Sequence, residues 1–143
     1  MAELVDRDQE WLNMLALAHY IAAGVTGLFA CFPILHVVIG AFLTFMPQAW
    51  RNGSDGPPRE VGLMFMGMGL AFMTAGWLFA GAHFIVARSL KARRRFIVCL
   101  VVSAVTCFAC MFTSGIVSIA TLVVLLRPGV KPLFEQGGAV SRP

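Results

Sequence analysis

Three long stretches of this chain carry no charged residue: 12–46, 61–87 and 96–126. An uncharged apolar run of about 20 residues or more can cross the roughly 30 Å hydrocarbon core of a bilayer as a helix. Only 13% of the residues are charged, whereas soluble domains usually contain about a quarter. The sequence therefore predicts an all-α, polytopic integral membrane protein with three long transmembrane stretches in a single membrane domain over residues 1–143.

Proline divides the first stretch. At a rise of about 1.5 Å per residue, residues 12–46 are too long for one straight crossing. Pro33 removes a backbone donor and disfavours helix at the residue before it. We expect one full span over residues 12–32 and a short helix over residues 34–46. The short helix is either a re-entrant or interfacial piece, or the same helix continued after a kink.

The other two stretches differ in regularity. Residues 61–87 form the cleanest predicted span, whereas residues 96–126 are overlong and have a weak break at Thr113-Ser114-Gly115. A turn-back at this break would return the end of the chain to the cytoplasmic side. Counting the piece after Pro33, about four helices are expected. Residues 127–143 contain several glycines and prolines and are predicted to be a mobile tail.

A weak internal repeat links the two overlong stretches. The segment 25–32 precedes Pro33, and the similar segment 105–112 precedes the Thr-Ser-Gly break. Each is followed by a further apolar run that ends at a proline. A true duplication would give the two copies opposite orientations, as in inverted-repeat transporters. This pattern keeps a small pore or transporter among the candidate functions.

Basic residues are concentrated in one short connection between two predicted spans. They are Arg88, Lys91, Arg93, Arg94 and Arg95. Basic loops tend to face the cytoplasm and to attract anionic lipid head groups. We therefore expect the loop 88–95 to be cytoplasmic and to contact head groups, with docking of an acidic protein partner as the alternative. The net charge of +4 includes this loop, so no nucleic-acid partner is predicted.

Three short motifs resemble those of a known group of proteins. Residues 125–134 read LLRPGVKPLF, residues 31–36 read CFPILH, and residues 93–99 read RRRFIVC. Together they are similar to small uncharacterised bacterial inner-membrane proteins that end in an LLRPxVKxLF-like signature. The resemblance covers most of the chain. It implies a location in the bacterial inner (plasma) membrane and no known activity.

Histidines are the most informative polar residues in the apolar stretches, because ionisable groups inside a membrane are costly and often functional. His19 and His83 should lie at similar depth near the cytoplasmic boundary, and His36 near the opposite side. Two imidazoles on neighbouring helices could ligate a haem iron axially or contact a quinone. The alternative is structural, since a neutral histidine can hydrogen-bond a carbonyl or water and help helices pack. The predicted spans contain no Asp, Glu, Lys or Arg, which gives ion-coupled transport little support.

Cys107 and Cys110 form a CxxC pair whose spacing places both thiols on one helix face. Redox pairs of this kind lie at a helix N-terminus, whereas this pair lies in the middle of an apolar stretch. Core packing is therefore the preferred interpretation. A zinc site would need two more ligands, and the sequence does not indicate that Cys31 and a histidine come close enough to supply them. With no nucleophile constellation, neither an enzyme nor a metal site is predicted.

Small residues provide the clearest packing signal. They recur every four residues in the first two stretches, and such small-xxx-small faces allow helices in lipid to approach closely. The sequence leaves open whether these faces meet within one chain or between subunits. The candidate packing residues are Ala23, Gly27, Gly67, Ala71, Ala75, Gly76 and Ala80.

These features favour a small helical membrane protein with a structural or assembly role. It would be a homo-oligomer or an accessory subunit of a larger membrane complex, with the lipid bilayer and itself or other membrane subunits as partners. The first alternative is an electron-transfer subunit that binds haem b or a quinone through His19 and His83. The second is the small pore or transporter.

Overall fold

Helix formation satisfies every backbone N–H and C=O group of an apolar segment internally, which lipid requires. The computed structural model describes residues 2–45, 58–109 and 115–139. Within these ranges the chain contains six α-helices and no strand. The helices are α1 (Ala2–Ala30), α2 (Ile34–Phe45), α3 (Arg59–Lys91), α4 (Phe96–Ala109), α5 (Gly115–Leu125) and α6 (Val130–Ala139). The all-α prediction is confirmed for the described residues.

Two helical segments are long and apolar enough to cross a membrane. They are Asp6–Phe45, which joins α1 and α2 into 40 residues, and α3, with 33 residues. Their most apolar windows are only 17% and 11% buried, whereas a core helix of a soluble protein is mostly buried. The third predicted stretch contains α4 and α5, with 14 and 11 residues. Each of these is too short to cross a core of about 30 Å.

The chain divides into two compact units. Residues 1–25 together with 79–143 form unit 1, and residues 26–78 form unit 2. This division into units does not test the prediction of a single membrane domain, which stays a prediction.

In the unit 26–78, three glycines of α3 spaced seven residues apart face α2, the turn before it and the last residue of α1. A Cβ added at any of these glycines would lie less than 3.0 Å from an atom of the facing segment. The helices therefore approach closely because these positions carry no side chain. The facing residues are Gly62 with Gly40 and Thr44, Gly69 with Pro33, and Gly76 with Ala30.

The order of these pairs shows the direction of α2. From residue 30 to residue 44 the facing positions on α3 fall from 76 to 62. The end of α1 and the whole of α2 therefore run antiparallel to α3, and α2 continues α1 after a kink. Residues 34–45 thus form the short helix predicted after Pro33, and Met46 lies outside the described residues.

The kink at Pro33 keeps its backbone hydrogen bonds. The Ile34 N–H donates to the Cys31 carbonyl at 3.1 Å, and the His36 N–H donates to the Pro33 carbonyl at 3.0 Å. Bonds from residue i to residue i−3 are those of a 3₁₀ turn. The chain therefore passes its proline by tightening for one turn, which satisfies the backbone without water.

In the other unit, α4 and α5 pack side by side. The hydroxyl oxygens of Thr106 on α4 and Ser118 on α5 lie 2.9 Å apart, so the chain turns back between the two helices. Of the predicted Thr113-Ser114-Gly115 break, Gly115 is the first residue of α5, and residues 110–114 lie outside the described residues. The two copies of the suggested repeat therefore differ, since the chain continues past Pro33 but reverses after Ala109.

The prediction of a mobile tail is wrong over residues 130–135. Val130, Leu133 and Phe134 are buried, and Phe134 packs edge-on against Phe96 with ring centroids 5.4 Å apart. The reason is an apolar stripe at i, i+3 and i+4, which gives α6 one face that packs against the core. The core contains Leu12, Leu15, Ala16, Val86, Leu90, Cys99, Val124, Leu125, Val130, Leu133 and Phe134.

Candidate functional site

Two buried histidines meet between α1 and α3. His19 and His83 both have 0% exposure, and their Nδ1 atoms lie 2.9 Å apart. The ring centroids are 5.1 Å apart and the ring planes are tilted by 36°. The two residues that the sequence singled out for a shared depth are therefore in direct hydrogen-bond contact.

A threonine on α5 extends the pair. The His19 Nε2 atom lies 2.9 Å from the Thr121 hydroxyl oxygen, and that hydroxyl donates to the Val117 carbonyl at 2.8 Å. With its proton used on the carbonyl, the Thr121 oxygen accepts from His19 Nε2–H. In a neutral His19 the Nδ1 atom is then the acceptor, so His83 donates through its own Nδ1–H. This is the assignment of neutral rings that uses all three contacts at once.

The assignment leaves one lone pair without a partner. A neutral His83 that donates from Nδ1 has an unprotonated Nε2. This atom is buried and has no hydrogen-bond partner among the described residues. The chain of three side chains therefore ends in a hydrogen-bond acceptor inside unit 1.

Further hydroxyl groups continue the polar contacts across α4 and α5. Ser118 lies one helical turn before Thr121 and contacts Thr106 at 2.9 Å. Thr106 donates to the Val102 carbonyl at 2.8 Å, so the Ser118 hydroxyl donates to Thr106. We call the set His83, His19, Thr121, Ser118 and Thr106 the polar seam. It joins four helices of one unit through their side chains.

The sequence interpretation missed the hydroxyl half of the polar seam. A signal was present, because Ser103 and Thr106 on α4 and Ser118 and Thr121 on α5 both have the pattern Ser-x-x-Thr. This spacing places both hydroxyl groups on one helix face. Ser103 is also fully buried, and its hydroxyl has no partner among the described residues.

The geometry of the histidine pair bears on the haem alternative. Two axial nitrogens lie on opposite faces of a porphyrin, and a separation of 2.9 Å leaves no room for the macrocycle between the rings. The remaining His83 Nε2 atom is buried, so a quinone does not reach it in this conformation. The arrangement suits a hydrogen bond between helices better than a cofactor.

We expect the protein, gently purified from its own membrane, to show no Soret absorbance. A band in the visible spectrum that disappears in both His19→Ala and His83→Ala would contradict this expectation and favour the electron-transfer alternative. His36→Ala is the control, because His36 is exposed and stacks on Phe65 with ring centroids 6.0 Å apart.

The three cysteines in the described part of the chain do not form a metal-binding cluster with these histidines. Cys31 is exposed, Cys99 is buried and Cys107 is partly buried, while Cys110 lies outside the described residues. No group of three or more His, Cys, Asp or Glu side chains that could hold a metal ion occurs in the described part of the chain.

The predicted packing residues differ in whether they lie at a helix contact, are exposed or are partly buried. Some lie at helix contacts, as shown by the close approach of Gly76 to Ala30 and by the burial of Gly27 and Ala80. Gly67 and Ala71 are exposed instead. The sequence interpretation missed the close contacts of Gly40, Gly62 and Gly69. Ala23 and Ala75 are partly buried.

The basic loop lies at the same end of unit 1 as the start of α1. The Arg93 guanidinium donates to the Gln9 side-chain oxygen at 3.1 Å. Arg127, which follows α5, forms an ion pair with Asp8 at 3.4 Å. The other four basic residues of the loop, Arg88, Lys91, Arg94 and Arg95, are exposed.

Comparison with protein-family models, curated proteins and solved structures finds no match to this chain. Its function is therefore inferred from its own residues.

Proposed function

We propose that this chain is a small helical membrane protein with a structural or assembly role, acting as a homo-oligomer or as an accessory subunit of a larger membrane complex. The observation that carries the proposal is a second small-residue face on α3. Gly62, Gly69 and Gly76 are used within the chain, whereas Gly67, Ala71 and Thr74 are exposed.

The exposed face has the spacing of a helix-packing surface. Gly67 and Ala71 are four residues apart and Thr74 follows three residues later, so all three lie on one side of the helix. A Cβ added at Gly67 would meet no atom within 4 Å. In lipid, small-xxx-small faces gain van der Waals contact by close helix approach. This side of α3 is therefore suited to receive another helix, from a second copy or from a partner subunit.

The polar seam supports a structural role. Side-chain contacts join His83 to His19 and His19 to Thr121, and a separate contact joins Ser118 to Thr106. Hydrogen bonds of this kind hold helices together in membranes. The outer surfaces of α1 and α3 carry exposed large apolar side chains such as Leu28, Phe29, Phe72 and Leu78. Lipid, or a neighbouring membrane subunit, is the environment that these side chains require.

The proposed topology has both termini in the cytoplasm. The segment α1–α2 and the helix α3 each cross the membrane, and the third stretch enters as the α4–α5 hairpin and returns. The contacts of Asp8 with Arg127 and of Gln9 with Arg93 support this, since they bring the tail and the loop 88–95 to the end where α1 begins. The positive-inside rule then assigns this end to the cytoplasm, and the sequence resemblance favours a bacterial inner membrane.

The oligomer is tested with a matched pair of substitutions. Gly67→Leu should shift the detergent-solubilised protein to a smaller mass in native mass spectrometry, because the added side chain holds the facing helix away. Gly24→Leu should leave the mass unchanged. Gly24 is also exposed with no atom within 4 Å of an added Cβ, but its neighbours four residues away, Tyr20 and Leu28, are large.

Two results would contradict the proposal. One is a wild-type mass equal to a single chain with no added polypeptide. The other is a complex whose mass does not change in Gly67→Leu, since this face would then not be the interface.

A further inference from the structure

The turn between α3 and α4 forms a cleft of about 490 Å³ in unit 1. Three arginines, Arg88, Arg94 and Arg95, line the cleft together with Ser89, and the apolar side chains of Phe84 and Ile85 complete its wall. The volume falls within the range of about 300–1,000 Å³ that is typical of ligand pockets. None of the polar seam residues lines the cleft.

The backbone of the turn brings the arginines together. Arg93 and Arg95 adopt positive φ angles of 49° and 57°, a left-handed conformation that is unfavourable for residues other than glycine. The Arg94 N–H donates to the Ser89 carbonyl at 3.0 Å, which folds the turn back onto the end of α3. Left-handed residues of this kind occur often at binding sites, where surrounding structure holds them in place.

The positive charges of the cleft have no acidic partner within the described residues. Within the described residues, the ion pair that forms joins Arg127 to Asp8. Arg93 does not line the cleft, and its guanidinium group donates a hydrogen bond to Gln9. Three guanidinium groups around one space repel one another, and an anion between them would reverse this effect. Arginine is suited to phosphate in particular, because its planar donors bind two oxygens at once.

The apolar wall indicates what carries the phosphate. Phe84 and Arg88 are four residues apart on α3 and therefore share a helix face. Phe84 and Ile85 are each 49% exposed. They precede Arg88 in the chain and belong to the apolar stretch 61–87. A ligand that fits both the arginines and the apolar wall of the cleft has an anionic phosphate head group and a hydrocarbon chain.

We propose that this cleft is a binding site for an anionic phospholipid. Arg88, Arg94 and Arg95 hold the phosphate, and the first part of an acyl chain lies against Phe84 and Ile85. The site is independent of the proposed oligomer, because neither Gly67 nor Ala71 contributes to it.

The test compares two substitutions, Arg94→Gln and Lys91→Gln, each of which removes one positive charge from the region of this turn. The full-length protein in detergent is titrated with dioleoylphosphatidylglycerol, and bound lipid is counted by native mass spectrometry. Arg94→Gln should weaken binding about tenfold, as expected for a lost charge-assisted hydrogen bond. Lys91→Gln removes the same charge from an exposed residue outside the cleft lining and should change binding less than about twofold by loss of screened surface charge alone.

A third variant and two further probes complete the test. Arg94→Lys keeps the charge and should still weaken binding, because an ammonium group lacks the planar donor pair. Dioleoylphosphatidylcholine, whose head group is neutral overall, should bind more weakly than the anionic lipid. Equal losses in Arg94→Gln and Lys91→Gln would overturn the site in favour of diffuse surface charge. Saturable binding of sodium phosphate that the lipid does not displace would overturn the lipid assignment in favour of a soluble phosphate compound.

Discussion

Replacing His83 with leucine should destabilise the protein by about 1 kcal/mol, close to the value of one hydrogen bond between membrane helices. The substitution removes one hydrogen bond, which is worth about 0.6–1.7 kcal/mol between membrane helices. It also leaves the His19 Nδ1 acceptor buried without its donor at 2.9 Å, but it removes the His83 Nε2 acceptor, which has no partner among the described residues, so the number of unsatisfied buried acceptors stays the same. Leucine keeps a side chain of similar bulk, so the cavity contribution stays small. Unfolding of the detergent-solubilised protein with a denaturing detergent measures the difference.

A double-mutant cycle separates the hydrogen bond from the loss of packing. His19→Leu with His83→Leu removes donor and acceptor together, and Thr121 keeps its own bond to the Val117 carbonyl. The double variant should therefore cost about 1 kcal/mol less than the sum of the single variants, within the range found for contacting residues.

The control for the cycle is His36→Leu. His36 is exposed, so the same change of residue type should alter stability by no more than about 0.5 kcal/mol. Strict additivity of His19→Leu and His83→Leu would contradict a direct bond between the rings. A loss in His36→Leu as large as that in His83→Leu would show that the effect is general to histidine in this chain.

The helices and the proximity of the two histidines could be predicted from the sequence, and the partner of the histidines on α5 could not. Uncharged length alone indicates helices, and the distances of His19 and His83 from the predicted span ends indicate a shared depth. The contact of His19 with Thr121 depends on the chain turning back between α4 and α5. The Ser-x-x-Thr spacing separates Thr121 from Thr26 and Thr74, but it does not indicate which helix the hydroxyl group faces.

The glycines of α3 are a second case in which the sequence of one helix does not identify the segment that it contacts. The span 61–87 contains two overlapping small-residue patterns, one with a spacing of four and one with a spacing of seven. Which pattern is buried depends on the facing segment, where Gly40 and Pro33 offer backbone rather than side chains. The spacing of four was identified from α3 alone, and it includes residues in both environments. Gly67 and Ala71 are exposed, whereas Gly76 lies against Ala30 and Ala80 is buried.

The tail illustrates how composition can mislead. Gly129 and Pro132 suggested irregular structure, yet Pro132 falls in the first turn of α6, where a missing N–H removes no helical hydrogen bond. One face of this short helix is buried, because it carries the apolar residues Val130, Leu133 and Phe134. A spacing of i, i+3 and i+4 was therefore a stronger signal than the glycine and proline content.

Gly62→Ala should lower stability by about 1–3 kcal/mol, the range typical of overpacked sites. The added Cβ would lie 2.8 Å from the Thr44 backbone nitrogen and 2.9 Å from the Gly40 carbonyl oxygen. Because two of the atoms in the way belong to the backbone, α2 and α3 must separate, and the contacts at Gly69 would weaken with them. Unfolding by denaturing detergent, with helicity followed by circular dichroism, measures the loss.

Gly81→Ala is the matched control on the same helix. A Cβ at Gly81 meets no atom within 4 Å, and alanine favours helix over glycine by roughly 0.5–1 kcal/mol. Gly81→Ala should therefore be neutral or stabilising, while the identical change nineteen positions earlier, at Gly62, is destabilising. Equal stability of the two variants would contradict the close α2–α3 contact. A loss at Gly62 with a gain at Gly81 would show that the missing side chain, and not glycine's flexibility, is what this interface requires.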